Sequence, residues 1–224
     1  HITVSAQVLS APPMAAAAAS SGADLVATEE MCAFAWDTLL SSLESKAAPV
    51  PQFPTDASCP LFVTWNTNAS SSGEFQLRGC IGTLSPTSLS SIRDYTYSSA
   101  FQDRRFNPIG SEEVPSLKCS VSLLVRYEDA AHAYDWVVGT HGILIKFSDS
   151  KGKSYTATFL PEVASEQGWD QPKTVRSLVR KAGVDPRSFT DTQLRAISTT
   201  RYQSSKCSLD YAGYLERRGA AGGA

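Results

Sequence analysis

Long apolar runs are missing from this chain: no stretch approaches the roughly 18 residues that a membrane-spanning helix needs. No membrane role is expected. Histidine is scarce, with His1, His132 and His141 alone, so a His-rich metal centre cannot be assembled. The five cysteines, Cys32, Cys59, Cys80, Cys119 and Cys207, include no C-x-x-C and no close pair. That argues against a disulfide framework and against a structural zinc site, and an intracellular reducing compartment, cytoplasmic or nuclear, is the simpler expectation. Phosphate-loop, HExxH, GxSxG and dinucleotide GxGxxG signatures are also absent, which leaves nucleotide hydrolysis, zinc proteolysis and α/β-hydrolase chemistry without support. No metal is expected and no cofactor is assigned.

A content of 42% hydrophobic and 19% charged residues in 224 fits one globular domain with a sizeable core. The net charge of -2 argues against an all-over nucleic-acid binder. The charge is uneven, however. Residues 1–170 carry 10 Lys and Arg against 18 Asp and Glu, whereas 171–224 carry 10 against 4. The C-terminal quarter either faces an anionic partner or balances acidic surface on its own molecule.

Residues 1–23, with Pro12-Pro13, a five-alanine run and Ser20-Ser21-Gly22, are biased and aperiodic. Disorder is expected there, with no secretory signal and with Met14 as one candidate for a native start. Residues 24–218 form the expected domain, and 219–224 a disordered tail. Thr28 with Glu29 and Glu30 reads as the capped start of a helix to about Ser45, whose stripe is Met31, Phe34, Trp36, Leu39, Leu40 and Leu43. Strands are expected at 61–66 and 75–84. A helix burying Leu89, Ile92, Thr96 and Ala100 follows, and then a half-buried strand in which Leu117, Cys119, Val121, Leu123 and Val125 alternate with polar residues. Further strands are expected at 143–147, 153–160 and within 194–207, with helices at 161–167, at 172–182 ending on Gly183, and at 209–217 capped by Ser208. In the second of these helices Val175, Leu178 and Val179 face inward, and Lys173, Arg176 and Arg180 form an exposed basic row. Irregular alternation with hairpin-length loops gives an α+β fold: a mixed, mostly antiparallel sheet flanked by helices, with room for two subdomains.

The stretch Leu77-Arg78-Gly79-Cys80-Ile81-Gly82-Thr83 carries the most chemistry. Strict alternation puts Phe75, Leu77, Gly79 and Ile81 on one face, and Gln76, Arg78, Cys80 and Gly82 on the other. Two glycines in one strand mark a bulge or a close approach by backbone or ligand. Together with Pro60-Leu61-Phe62-Val63-Thr64-Trp65, Cys119-Ser120-Val121-Ser122-Leu123-Leu124 and Leu160-Pro161-Glu162-Val163-Ala164, this heptad resembles the AMMECR family from about Thr28 to Leu215. The resemblance singles out Asp103 and Arg105 within the segment 101–106 and makes Arg104 a departure from the family pattern. It implies service to basic transcription, translation or repair machinery, with no defined reaction.

Two readings follow. In the first, a small anionic metabolite occupies a cleft with ligand residues Arg78, Gly79, Gly82, Thr83, Asp103 and Arg105, and Cys80, His141 and Glu162 supply thiol, base and orienting carboxylate. Arg78, if covered, needs a carboxylate, with Glu162, Asp94 and Asp103 as candidates. In the second, the protein is a non-catalytic adaptor that engages protein or nucleic acid, with Lys173, Arg176 and Arg180 as basic surface. For each site residue a bland role competes: small strand thiol, glycine-turn histidine, helix-start glutamate.

Overall fold

The computed structural model describes residues 7–8, 25–69, 73–149 and 152–221. In chain order its elements are β1 (Gln7–Val8), α1 (Glu29–Leu43), β2 (Ser58–Thr67), β3 (Gln76–Ser88), α2 (Ile92–Phe101), β4 (Leu117–Asp129), β5 (Gly142–Ser148), β6 (Ser154–Phe159), α3 (Pro161–Glu166), α4 (Gln171–Lys181), α5 (Asp191–Arg195), β7 (Ser198–Asp210) and α6 (Tyr211–Ala221). The strands pair antiparallel except β1, which runs parallel to β3. This is the expected α+β class. Most of the expected disordered extension, and the end of the tail, lie outside the described residues. Gln7–Val8 form a short strand, and 219–221 belong to α6.

The chain divides into two compact units, residues 1–123 with 205–224, and residues 124–204. In the first unit the strand order is β1-β3-β2-β4. Across β2 the paired residues alternate in face, so Leu61, Val63 and Trp65 align with Ile81, Cys119, Val121 and Leu123 on one side. Trp36 of α1 lies against that side, with its ring edge-on to Trp65 at 5.0 Å and stacked near Tyr214 of α6 at 5.6 Å. Its indole N–H donates to the Leu209 carbonyl, so a large apolar side chain is buried with its polar atom satisfied.

Several sequence expectations are corrected here. Thr28 stands at the N-cap of α1, but its side chain makes no capping bond; backbone N–H groups of Met31 and Cys32 bond its carbonyl instead. β4 is buried on both faces from Cys119 to Leu124, with Ser120 and Ser122 covered as fully as their apolar neighbours, and Ser120 shares a hydroxyl hydrogen bond with Ser208. Ser208 lies within β7 and α6 begins only at Tyr211. Phe75 precedes β3 and is exposed, its ring under the Lys118 ammonium at 3.9 Å.

In the second unit the order is β7-β5-β6, with α3, α4 and α5 around a core of Ile143, Ile145, Phe159, Val163, Leu194 and Ile197. α4 follows its sequence pattern: Val175, Leu178 and Val179 are all buried in that core. The Asp170 carboxylate caps its first turn by accepting from the Lys173 N–H, and Gly183 ends it with φ of 90°. α5 starts at Asp191 where a strand from Leu194 is expected from sequence alone.

Candidate functional site

The site is built around an irregularity in β3. Trp65 pairs with Gly79 but Asn66 pairs with Leu77, so Arg78 has no partner across β2 and forms a β-bulge. The bulge resets the alternation. Leu77 takes the face of Asn66, opposite to Gly79 and Ile81, and strict period-two reading of the heptad therefore fails on its N-terminal side.

The glycines mark close backbone approaches, as their type requires. A Cβ on Gly79 would sit 2.1 Å from the Ser99 carbonyl oxygen of α2, and one on Gly82 would sit 2.3 Å from the Leu61 carbonyl oxygen. Thr83 is buried, and its hydroxyl accepts the Ser85 N–H. Protein atoms occupy the space beside both glycines, and neither glycine nor Thr83 lines the cleft described below.

Arg78 is tied down. Its Nε and Nη2 donate to the two carboxylate oxygens of Glu113 at 2.6 and 2.8 Å, and Nη1 donates to the Asn107 carbonyl at 2.9 Å. The carboxylate it meets is none of those expected from the sequence, because the 3-10 turn Ser111–Ser116 brings Glu113 alongside. Glu113 also accepts the Gly110 N–H. The Arg78 hydrogen bonds hold the Glu113 carboxyl below its ordinary range against the opposing effect of partial burial.

Asp103 and Arg105 form a second pair. Asp103 is buried, and its Oδ2 accepts the Cys80 N–H at 2.9 Å. Arg105 donates to both Asp103 oxygens and, through Nη2, to the Cys80 carbonyl at 3.1 Å. Burial pushes the Asp103 carboxyl up, but Arg105 and the Cys80 and Arg105 amides outweigh it and hold the carboxyl below its ordinary range. The Arg105 guanidinium is raised by the same carboxylate.

Between these pairs opens a cleft of about 440 Å³ lined by Arg78, Arg104, Arg105, Phe106 and Asn107. The Arg78 and Arg105 guanidinium carbons lie 5.9 and 5.4 Å from the Phe106 ring centroid, within cation–π range. Arg104 is exposed, and among the described residues its guanidinium makes no hydrogen bond or ion pair. With two of the three cations matched by carboxylates, the lining keeps one positive charge in excess. A cleft of this composition can accept a carboxylate or phosphate on Arg104 while apolar atoms rest on Phe106. Arg104, Phe106 and Asn107 are not among the site residues expected from sequence; the signal for them is the unusual Arg at 104 between two positions marked by the family pattern.

The remaining sequence candidates are not among the lining residues of this cleft. Cys80 is 4% exposed, absent from the cleft lining, and takes a hydrogen bond from the Thr64 hydroxyl at 3.2 Å. His141 and Glu162 belong to the second unit, whereas Cys80 belongs to the first. His141 closes its own turn, Nδ1 accepting the Val137 N–H at 3.1 Å, and Glu162 stands in the first turn of α3. On α4, Lys173 and Arg180 are exposed, but Arg176 is paired with Asp191. Among the described residues no group of three or more His, Cys, Asp or Glu is arranged to hold a metal ion, and no helix is long and apolar enough to cross a membrane.

The model of the AMMECR1 family matches residues 32–207. The Arabidopsis thaliana protein At2g38710 is 46% identical over 191 residues, covering 84% of this chain and 88% of its own length. The Schizosaccharomyces pombe protein C688.03c is 43% identical over 162 residues, covering 70% of this chain and 79% of its own. Among solved structures, Pyrococcus horikoshii PH0010 superposes with a TM-score of 0.64 at 22% identity over 82% of this chain and 93% of its own, a likeness of fold.

Proposed function

We propose, for a chain that belongs to the AMMECR1 family, that its first unit binds a small anionic ligand in the cleft of Arg78, Arg104, Arg105, Phe106 and Asn107. The observation that carries this reading is Arg104, an exposed guanidinium without a partner among the described residues, beside two guanidiniums already fixed by carboxylates. Arg78 and Arg105 shape the cleft and hold their positions, so little ordering is left to do on binding. Arg104 supplies the charge that the ligand neutralises. The reading is one of binding, with no chemical step assigned, since Cys80 is buried under Thr64. The ligand is proposed to be an intracellular metabolite, which the five unbridged cysteines support.

The test is a thermal-shift screen of small carboxylates and phosphates against the whole chain, followed by calorimetry of any hit. The expected result is a hit whose affinity falls roughly tenfold or more in Arg104→Ala, the loss of one charge-assisted hydrogen bond of ~1.5–3 kcal/mol. The folded protein should keep its melting temperature. Equal affinity for Arg104→Ala and the parent would remove the cleft from the function. So would salt-sensitive binding of RNA or DNA that depends on Lys173 and Arg180 instead.

A further inference from the structure

The cleft lining holds a second polar group besides Arg104. Its edge is a tight turn in which the Phe106 N–H donates to the Asp103 carbonyl at 3.0 Å, so Arg104 and Arg105 stand at the two central positions. The Asp103 carboxylate steadies that turn by accepting the Arg105 N–H at 3.2 Å. Asn107 follows directly. Its backbone is fixed, because Arg78, itself gripped by Glu113, donates to the carbonyls of Asn107 and Pro108 at 2.9 and 3.4 Å. The Asn107 side chain is exposed in the lining, and among the described residues its carboxamide makes no hydrogen bond.

The two heads differ in kind. A guanidinium offers donors and charge, whereas a carboxamide offers two N–H donors and a carbonyl acceptor. Phe106 lies between them in the chain, and its half-buried ring shares the lining. A ligand that uses all three needs a planar monoanionic head, a neighbouring group with both a donor and an acceptor, and an apolar part. A carboxylate fits the guanidinium fork, and its single charge equals the one positive charge in excess. A phosphate monoester brings a charge of about -1.5 to -2 at pH 7, more than that excess. A plain carboxylic acid leaves the Asn107 side-chain carbonyl without a donor. A free α-amino acid sets its ammonium group among three guanidiniums, where like charge repels it. Acylation of the amine removes that charge and creates an amide in the same place.

Given the reading of this cleft as an anion site, on which this step rests, we infer that its ligand is an N-acylated α-amino acid, free or as the C-terminal residue of a peptide. The carboxylate takes the Arg104 guanidinium, the amide N–H and C=O exchange hydrogen bonds with the Asn107 carboxamide, and the side chain rests on Phe106. Arg104 thus selects for charge and Asn107 for the amide beside it. Arg78 acts through Asn107, as a positioning residue.

The experiment is calorimetry on the intact chain with N-acetylphenylalanine, phenylalanine, 3-phenylpropionate, N-acetylphenylalaninamide and adenosine monophosphate. N-acetylphenylalanine should bind about tenfold or more tightly than each of the others, the worth of two hydrogen bonds or of the charge pair. Arg104→Ala should lose that binding, and Asn107→Ala should bring the ratio of N-acetylphenylalanine to 3-phenylpropionate affinity toward one. The tripeptide Ala-Ala-Phe with a free C-terminus separates the two sources: binding as tight as that of N-acetylphenylalanine assigns a peptide C-terminus, and weaker binding assigns a free acylamino acid. Equal affinity for 3-phenylpropionate or phenylalanine, or tighter binding of adenosine monophosphate, each still lost in Arg104→Ala, would overturn the ligand class and leave the anion cleft standing. Binding of no anion, or binding indifferent to Arg104→Ala, would remove the cleft reading and this one with it. Should Asn107→Ala fail to fold, the ranking of the probes on the parent chain decides.

Discussion

Asp103 accepts the Cys80 N–H through Oδ2 at 2.9 Å, and Arg105, bonded to the same carboxylate, donates to the Cys80 carbonyl at 3.1 Å. A side-chain pair thus does at this point of β3 what a neighbouring strand does at Ile81 and Gly82, where β1 pairs. Both main-chain groups of Cys80 are satisfied on that edge, which leaves the strand no open template there.

Asp103→Ala should therefore cost about 3 kcal/mol, because it strands a buried N–H and leaves the partly covered Arg105 charge unmatched. Arg105→Ala, which removes the more exposed partner, should cost less. Urea titration of the two variants measures both, and an Asp103→Ala midpoint equal to that of the parent would exclude the edge-closing role.

Gly79→Ala should cost upwards of about 3 kcal/mol, since the added methyl meets backbone rather than a movable side chain. Relief requires α2 to lift from the sheet. Gly219→Ala, on α6 with open space around it, is the matched control and should leave the melting temperature unchanged or slightly raised.

Acid should weaken the first unit. Asp103 and Glu113 both titrate below their ordinary values when folded, so the unfolded chain takes up protons first as the pH falls. Their contribution is complete above about pH 5 and is lost on acidification through the lowered native values, on the acid side of about pH 4. Asp185, held at about 2 by Arg187, acts in the same direction but is exposed, and salt should screen its share. Denaturation midpoints between pH 3 and pH 6 in high salt should still fall with acid, and Glu113→Gln should flatten that fall. A slope unchanged in Glu113→Gln would show that the Arg78 pair is not its source.

Leu178→Ala should destabilise the second unit by about 2–5 kcal/mol through an apolar cavity, while Arg180→Ala on the same helix should stay within about 0.5 kcal/mol of the parent. Hydrogen exchange of the α4 amides reads the two effects separately from the first unit.

α4 is legible in the sequence because its pattern is local. Val175, Leu178 and Val179 repeat at helical spacing within eleven residues, so the local pattern suffices. α5 has five residues and buries only Leu194, too short for any period; its signal was the Thr190/Gln193 capping box, which the structure forms. The face of Leu77 differs from the period-two expectation because a bulge is a property of the pairing between β2 and β3, invisible in either strand alone. The partner of Arg78 lies 35 residues away in a turn, and nothing local ranks Glu113 above Asp94 or Asp103. Arg104 is hidden in the sequence for a different reason. A residue that departs from a family pattern carries no inherited role, and its importance rests on the two committed pairs beside it.

The register of β2 and β3 also bears on chain length. Trp65 pairs with Gly79 and Asn66 with Leu77, so a chain shortened by Arg78 alone would run through this region as an uninterrupted ladder, every remaining pair intact. The sheet itself has no use for the residue. Its reason for being there lies with the segment Asn107 to Glu113, which it fastens through two backbone carbonyls and a carboxylate. Loss of one codon would thus tidy the strand and release one wall of the cleft at the same stroke.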